Sequence, residues 1–193
     1  MIHREMVMLQ FRRYVKRFDQ NEDAVQLKYA HSLRVSALCE EIADSLGLSA
    51  ADRDVAWLIG VLHDIGRFEQ LRTYHTFVDY RSMDHAKYGV KYLFDEGHIT
   101  DFLADRKDDA VICMAISQHN VYELRNDLTP RQRLFCQMIR DADKLDIFRV
   151  YVMYIQQGKD IWHTDMSDMK TQSISPVVME QARQKKLVLR SNI

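Results

Sequence analysis

His63 and Asp64 stand side by side between an apolar run and a glycine, in the segment Leu58 to Arg67 that reads LIGVLHDIGR. A neutral imidazole and a carboxylate offer one nitrogen and one oxygen ligand to a divalent metal. The apolar run predicts a buried helix. An unpaired carboxylate at its end would be costly in that low-dielectric setting, and a bound cation removes the cost. The dipeptide alone is a weak signal, since many buried pairs of this kind are simply hydrogen-bonded. Four further groups add to it: His31 before the pair, and His85, His119 and Asp143 after it.

Helical periodicity turns most of these groups inward. One turn after Leu27, the residues His31, Val35, Leu38 and Ile42 form an i, i+4, i+7, i+11 stripe on a helix expected from about Asp23 to Leu46 and ended by Gly47. Ile59 precedes His63 by one turn, as Ala115 precedes His119 and Ile139 precedes Asp143. Ser49 with Asp52 opens the helix that runs through Trp57 and Leu62 to His63 and Asp64, and Gly66 closes it. His85 falls in the first turn of a helix from about Asp84 to Glu96, stopped by Gly97, and His119 ends a helix from about Lys107 to Gln118.

Thr129-Pro130-Arg131-Gln132 is the strongest boundary in the chain, with an N-cap threonine, proline at N1 and glutamine at N3. The helix it opens carries Phe135, Ile139, Ala142 and Asp143 on one face and continues toward Gly158. Three outer segments complete the set: an amphipathic helix over residues 4–18, a short one over Asp101 to Asp105 capped by Thr100, and a last one opened by Ser175-Pro176. Residues 67–83 show no clear period and read as a long loop with at most a short helical turn, a kind of segment that is usually functional.

Composition agrees with this outline. With 193 residues, 47% of them hydrophobic and 28% charged, the chain can bury a sizeable core in one domain. Two prolines and six glycines disfavour a turn-rich all-β fold. The expected class is all-α, a bundle of about six to eight helices with the metal-binding core near residues 27–150 and a helical extension over 159–193. A net charge of −1 gives no electrostatic case for nucleic acid as an obligate partner. Cys39, Cys113 and Cys136 form no Cys-x-x-Cys pair and read as reduced core residues, which fits the cytoplasm. No apolar run approaches the roughly 18 residues of a membrane span, and the first residues show no signal-peptide stretch.

The order His, His-Asp, His, His, Asp resembles the HD-domain superfamily of metal-dependent phosphohydrolases. Three segments carry the likeness: His31-Ser32-Leu33-Arg34-Val35, Leu62-His63-Asp64-Ile65-Gly66 and Ala142-Asp143-Lys144-Leu145-Asp146. It implies a helical bundle in which His31, His63, Asp64 and Asp143 hold one metal. His85 and His119 match the positions that supply a second metal in dinuclear members, with Asp64 bridging the two. Two such ions lower the pKa of a water that then serves as nucleophile, and they clamp the phosphoryl oxygens. Mixed nitrogen and oxygen donors suit Fe, Mn, Zn, Co or Ni better than Mg.

The implied substrate is a small phosphate ester or a nucleotide, which needs cations besides the metals. Arg67 and Lys144 are candidates to assist catalysis beside Asp64, and Arg67, Arg72, Asn120 and Lys144 to bind substrate. The alternatives are solvated surface charges and, for Asn120, a helix C-cap. Arg67-Phe68-Glu69-Gln70 stands where members that hydrolyse guanosine tetraphosphate carry a Glu-Asp pair, and the Gly-Tyr-Pro motif of the cyclic-di-GMP phosphodiesterases is absent. Two rivals share the ligand pattern: the mixed-valent di-iron oxygenases of the HD fold, and a non-catalytic regulatory protein with a structural metal.

Overall fold

Helix ends in this chain fall where short polar side chains can satisfy free backbone groups. In the computed structural model, which describes residues 2–158, 173–186 and 188, those residues form helices and turns and no strand. The helices are α1 (Arg4–Val15), α2 (Asp23–Ser45), α3 (Ala50–Leu62), α4 (Ile65–Tyr74), α5 (His85–Val90, prolonged by a π-helical turn over Lys91–Asp95), α6 (Asp109–Gln118), α7 (Pro130–Gln156) and α8 (Pro176–Arg183). The all-α bundle expected from the sequence is the observed fold. No helix among the described residues is long and apolar enough to cross a membrane.

The chain separates into two units, Met1–Val150 and Tyr151–Ile193. The first contains α1 to α6 and most of α7; the second contains the end of α7 and α8, with Pro176 in the first turn of α8. The expected extension over 159–193 lies partly outside the described residues, which resume at 173.

Two of the N-terminal signals act as read. Ser49 Oγ accepts from the backbone N–H of Asp52 at 3.1 Å. At the start of α7, Gln132 N–H donates to Thr129 Oγ1 at 3.2 Å and Thr129 N–H donates to Gln132 Oε1 at 3.0 Å, the reciprocal pair of a capping box.

Other expectations need correction. The helix expected to reach Asp64 ends at Leu62, and α4 runs from Ile65 to Tyr74, so residues 67–74 of the expected loop are helical. Gly66 does not close a helix. It lies in the first turn of α4, where a Cβ would stand 2.2 Å from the carbonyl oxygen of His85, so only glycine lets α4 and α5 approach this closely. Thr100 lies inside a 3₁₀ turn over His98–Asp101 and donates to Gly97 O, instead of capping a helix over Asp101 to Asp105. On α2 the fully buried side is Val25, Lys28, His31, Ser32, Val35, Ser36, Cys39 and Ala43, while Leu27, Leu38 and Ile42 flank it.

That rotation has a cause in α3. A Cβ on Gly60 would meet Ser36 Cα at 2.4 Å, so α2 and α3 cross at nearly backbone contact, with small residues on both sides. The crossing sets His31 close to His63, their ring centroids 5.3 Å apart. Around it Leu58, Ile59, Leu62, Ile112, Ile116, Phe135 and Ile139 are fully buried. Phe68 of α4 packs its ring edge-on to Phe11 and Tyr14 of α1, and Tyr14 OH donates to Ile65 O at 2.9 Å. Thus α1 holds the start of α4 in place.

Gly60→Ala should push α2 and α3 apart. A loss of about 1–3 kcal/mol is expected from overpacking, read as a lower midpoint in urea unfolding with the slope unchanged. A midpoint equal to that of the unaltered chain would contradict this account of the crossing.

Candidate metal centre

Six helices bring their ends or faces to one point. His31 comes from α2, His63 and Asp64 from the break between α3 and α4, His85 opens α5, His119 follows the last residue of α6, and Asp143 lies on α7. The four histidines and Asp64 are all buried, none more than 4% exposed.

Asp64 lies between two pairs of imidazoles. Its Oδ2 is 3.5 Å from His31 Nε2 and 3.6 Å from His63 Nε2, whereas its Oδ1 is 3.3 Å from His85 Nε2 and 3.6 Å from His119 Nε2. Asp143 Oδ1 closes the first half, 3.1 Å from His31 Nε2 and 3.7 Å from His63 Nε2. In the second half the Nε2 atoms of His85 and His119 are 2.9 Å apart.

The donor set fits divalent cations. His31, His63 and Asp64 bring ligand atoms within 4.8 Å of one another, and so do Asp64, His85 and His119. Nε2 of His31 and of His63 is buried with no hydrogen-bond partner among the described residues, although carboxylate oxygens stand nearby. Lone pairs aimed at one another across such gaps suit a shared cation better than a hydrogen-bond network.

The far side of each ring explains the direction of its lone pair. His63 Nδ1–H donates to Gly60 O at 2.8 Å and His119 Nδ1–H donates to Ile116 O at 2.7 Å. A carbonyl only accepts, so these bonds place the proton on Nδ1 and leave the lone pair of Nε2 free for a metal. His31 Nδ1 meets Asp146 Oδ2 at 2.7 Å, and His85 Nδ1 meets Asp79 Oδ2 at 2.7 Å. Asp146 is itself fixed by Arg34 Nε at 2.6 Å and Arg149 Nε at 3.0 Å.

Charge around Asp64 is strongly positive. Burial alone would push its carboxyl up, but the charge of Lys28 leads the opposing influences, and the carboxyl is held well below the usual carboxylate range. Lys28 Nζ donates to Asp64 Oδ2 at 2.6 Å, and this lysine is only 4% exposed. Asp143 is likewise held low, because His31 and His63 overcome its own desolvation.

The candidate phosphate-binding groups are scattered. Arg67 is half-buried: its Nε lies 3.6 Å from Asp64 Oδ1, while Nη1 donates to Phe77 O at 2.6 Å and to Asp79 Oδ1 at 2.7 Å. Arg72 is exposed and paired with Glu69. Asn120 donates to Asp84 Oδ1 at 3.0 Å and Asp79 Oδ2 at 3.3 Å. Lys144 is exposed on α7, its Nζ 3.4 Å from Arg140 O.

Lys28, Asp79 and Asp146 were not singled out from the sequence. Lys28 was findable, one turn before His31 on the same face, and so was Asp146, one turn after Asp143. Asp79 carries no local signal, because the segment around it has no period.

A family model described as HD domain matches residues 29–147. In fold, the chain is similar to a protein described as a predicted HD superfamily hydrolase from an uncultured Thermotogales bacterium, whose crystal structure is known at 1.45 Å. That likeness has a TM-score of 0.50 at 21% identity and covers 95% of this chain and 90% of the other. No curated protein matches the chain.

Protein stripped by a chelator and titrated with Mn²⁺ should gain about 2.7 kcal/mol of stability at a hundredfold excess over Kd. Asp64→Ala removes an oxygen donor from both halves and should gain almost nothing. Thermal melts of the two proteins with and without metal check this, and equal gains would count against the centre.

Proposed function

The chain belongs to the HD-domain family, and from that premise we propose that it is a phosphohydrolase working with two divalent ions on a small phosphate ester or a nucleotide. One observation carries the reading: the two oxygens of Asp64 face opposite histidine pairs, Oδ2 toward His31 and His63, Oδ1 toward His85 and His119. A carboxylate used in this way suits a bridge between two ions, with Asp143 completing one side. Ions bound there supply an acidified water as nucleophile and neutralise charge on the phosphoryl oxygens.

The residues of this chain do the rest. The backbone carbonyls of Gly60 and Ile116 and the carboxylates of Asp146 and Asp79 orient the four rings. Lys28 and Arg67 place fixed positive charge beside Asp64, which favours an anionic ligand at the centre. Lys144, exposed directly after Asp143, is the cation we assign to contact with a phosphoryl oxygen, whereas Arg67 acts chiefly by holding Phe77 and Asp79. Arg72, tied to Glu69 on the surface, has no part in this reading. The expected partner is a small molecule, and neither nucleic acid nor a membrane is required.

The test is phosphate release from a panel of nucleotides and sugar phosphates, run without oxygen in the presence of Mn²⁺. Asp64→Ala should lower kcat on any substrate found by at least about a thousandfold, the equivalent of several kcal/mol of charge stabilisation. Substrate-dependent oxygen uptake with a mixed-valent iron signal, and no phosphate released, would replace the hydrolase with the oxygenase.

A further inference from the structure

The four ring supports are not alike. His63 and His119 lean on carbonyls of their own helices, and Asp146, which holds His31, is 1% exposed on α7 between two arginines. His85 leans on Asp79, whose side chain is 31% exposed. Asp79 lies in the segment between α4 and α5, in a single 3₁₀ turn over Asp79–Arg81. No helix carries this acceptor.

Two polar side chains on the inner face of α4 hold that segment. Gln70 is fully buried, and its Nε2 lies within hydrogen-bond reach of Asp79 Oδ1 (2.9 Å), Ser82 Oγ (2.8 Å) and Met83 O (2.9 Å). Its Oε1 accepts from Arg67 Nη1 at 2.7 Å, the same nitrogen that reaches Phe77 O and Asp79 Oδ1. Asn120 ties the same carboxylate to the residue after His119. Arg67, Gln70 and Asp79 thus form one chain of contacts ending on the imidazole of His85.

We propose that Asp79 is a positioning residue for the second half of the centre, and that the Gln70 clamp on its segment sets the ion affinity of that half alone. This rests on the two-ion reading above. The physical reason is local opening. A segment held by a few side-chain hydrogen bonds opens at lower free energy than packed helices do. While it is open, His85 lacks its Nδ1 acceptor, and the apparent affinity falls with the fraction of molecules that keep the competent geometry. The first half has no such dependence, because Asp146 and the Gly60 carbonyl belong to helices of the core. Two ions therefore bind with unequal affinity, the tighter one at His31, His63 and Asp143.

The experiment is calorimetric titration of metal-free, full-length protein with Mn²⁺, with metal counted after gel filtration and the coupled-pair EPR signal of two Mn²⁺ ions recorded. The unaltered chain should take up two ions with separate Kd values. Asp79→Asn, nearly isosteric, should weaken only the second ion, by about 10–100-fold, and turn the coupled signal into that of an isolated ion. Gln70→Met should act in the same direction and carries the test if Asp79→Asn fails to fold, which metal-free melts will show. Equal weakening of both ions, or of neither, overturns the proposal. One ion bound by the unaltered chain would overturn the two-ion reading itself, a result seen before any substitution is made.

Discussion

A carboxylate removed from water must be surrounded by positive charge or by donors, and Asp64 is 2% exposed at the middle of the bundle. Leaving an ion of that size uncompensated in the interior costs several kcal/mol even after relaxation. The chain meets part of the demand with Lys28 on one oxygen and Arg67 near the other, and the four imidazoles turned toward the carboxylate leave the rest to a shared cation. Asp64 also stands at the N-terminus of α4, where unpaired N–H groups add partial positive charge. The break between α3 and α4 therefore has an electrostatic use as well as a geometric one.

Geometry comes from two close approaches. Gly60 brings the α3 backbone onto Ser36 of α2, and Gly66 brings α4 onto the His85 carbonyl of α5. Each contact lies one turn or less from a candidate metal ligand. The core around them is ordinary apolar packing, so the distances within the centre are set by backbone contact and not by long side chains. That suits a site in which displacements of an ångström matter.

The parts of this arrangement that could be read from the sequence are those with local chemistry. Ser49 and Thr129 betray helix starts because a cap is satisfied within three residues. The inward direction of His31 followed from its stripe, although Ser32 and Ser36, small and polar, hid the true centre of that face. Helix α4 was missed for a related reason. Its inner face carries Arg67 and Gln70 among Phe68 and Leu71, so the apolar period is broken by polar groups whose partners lie up to 13 residues further on. Asp79 could not be found from spacing, since its importance comes only from where the chain returns. The convergence of six helices on Asp64 is likewise a property of packing; spacing indicated only which side chains faced inward.

The use of main-chain carbonyls behind His63 and His119 bears on how such a centre can evolve. Gly60 O and Ile116 O are present whatever side chain follows them, so drift in the sequence leaves those two acceptors in place as long as the helices persist. Asp146 and Asp79 are the opposite case, since a single codon change removes either one. Natural variation that adjusts the behaviour of the rings should therefore collect around those two aspartates, and a lineage could retune one side of the centre while inheriting the other unchanged.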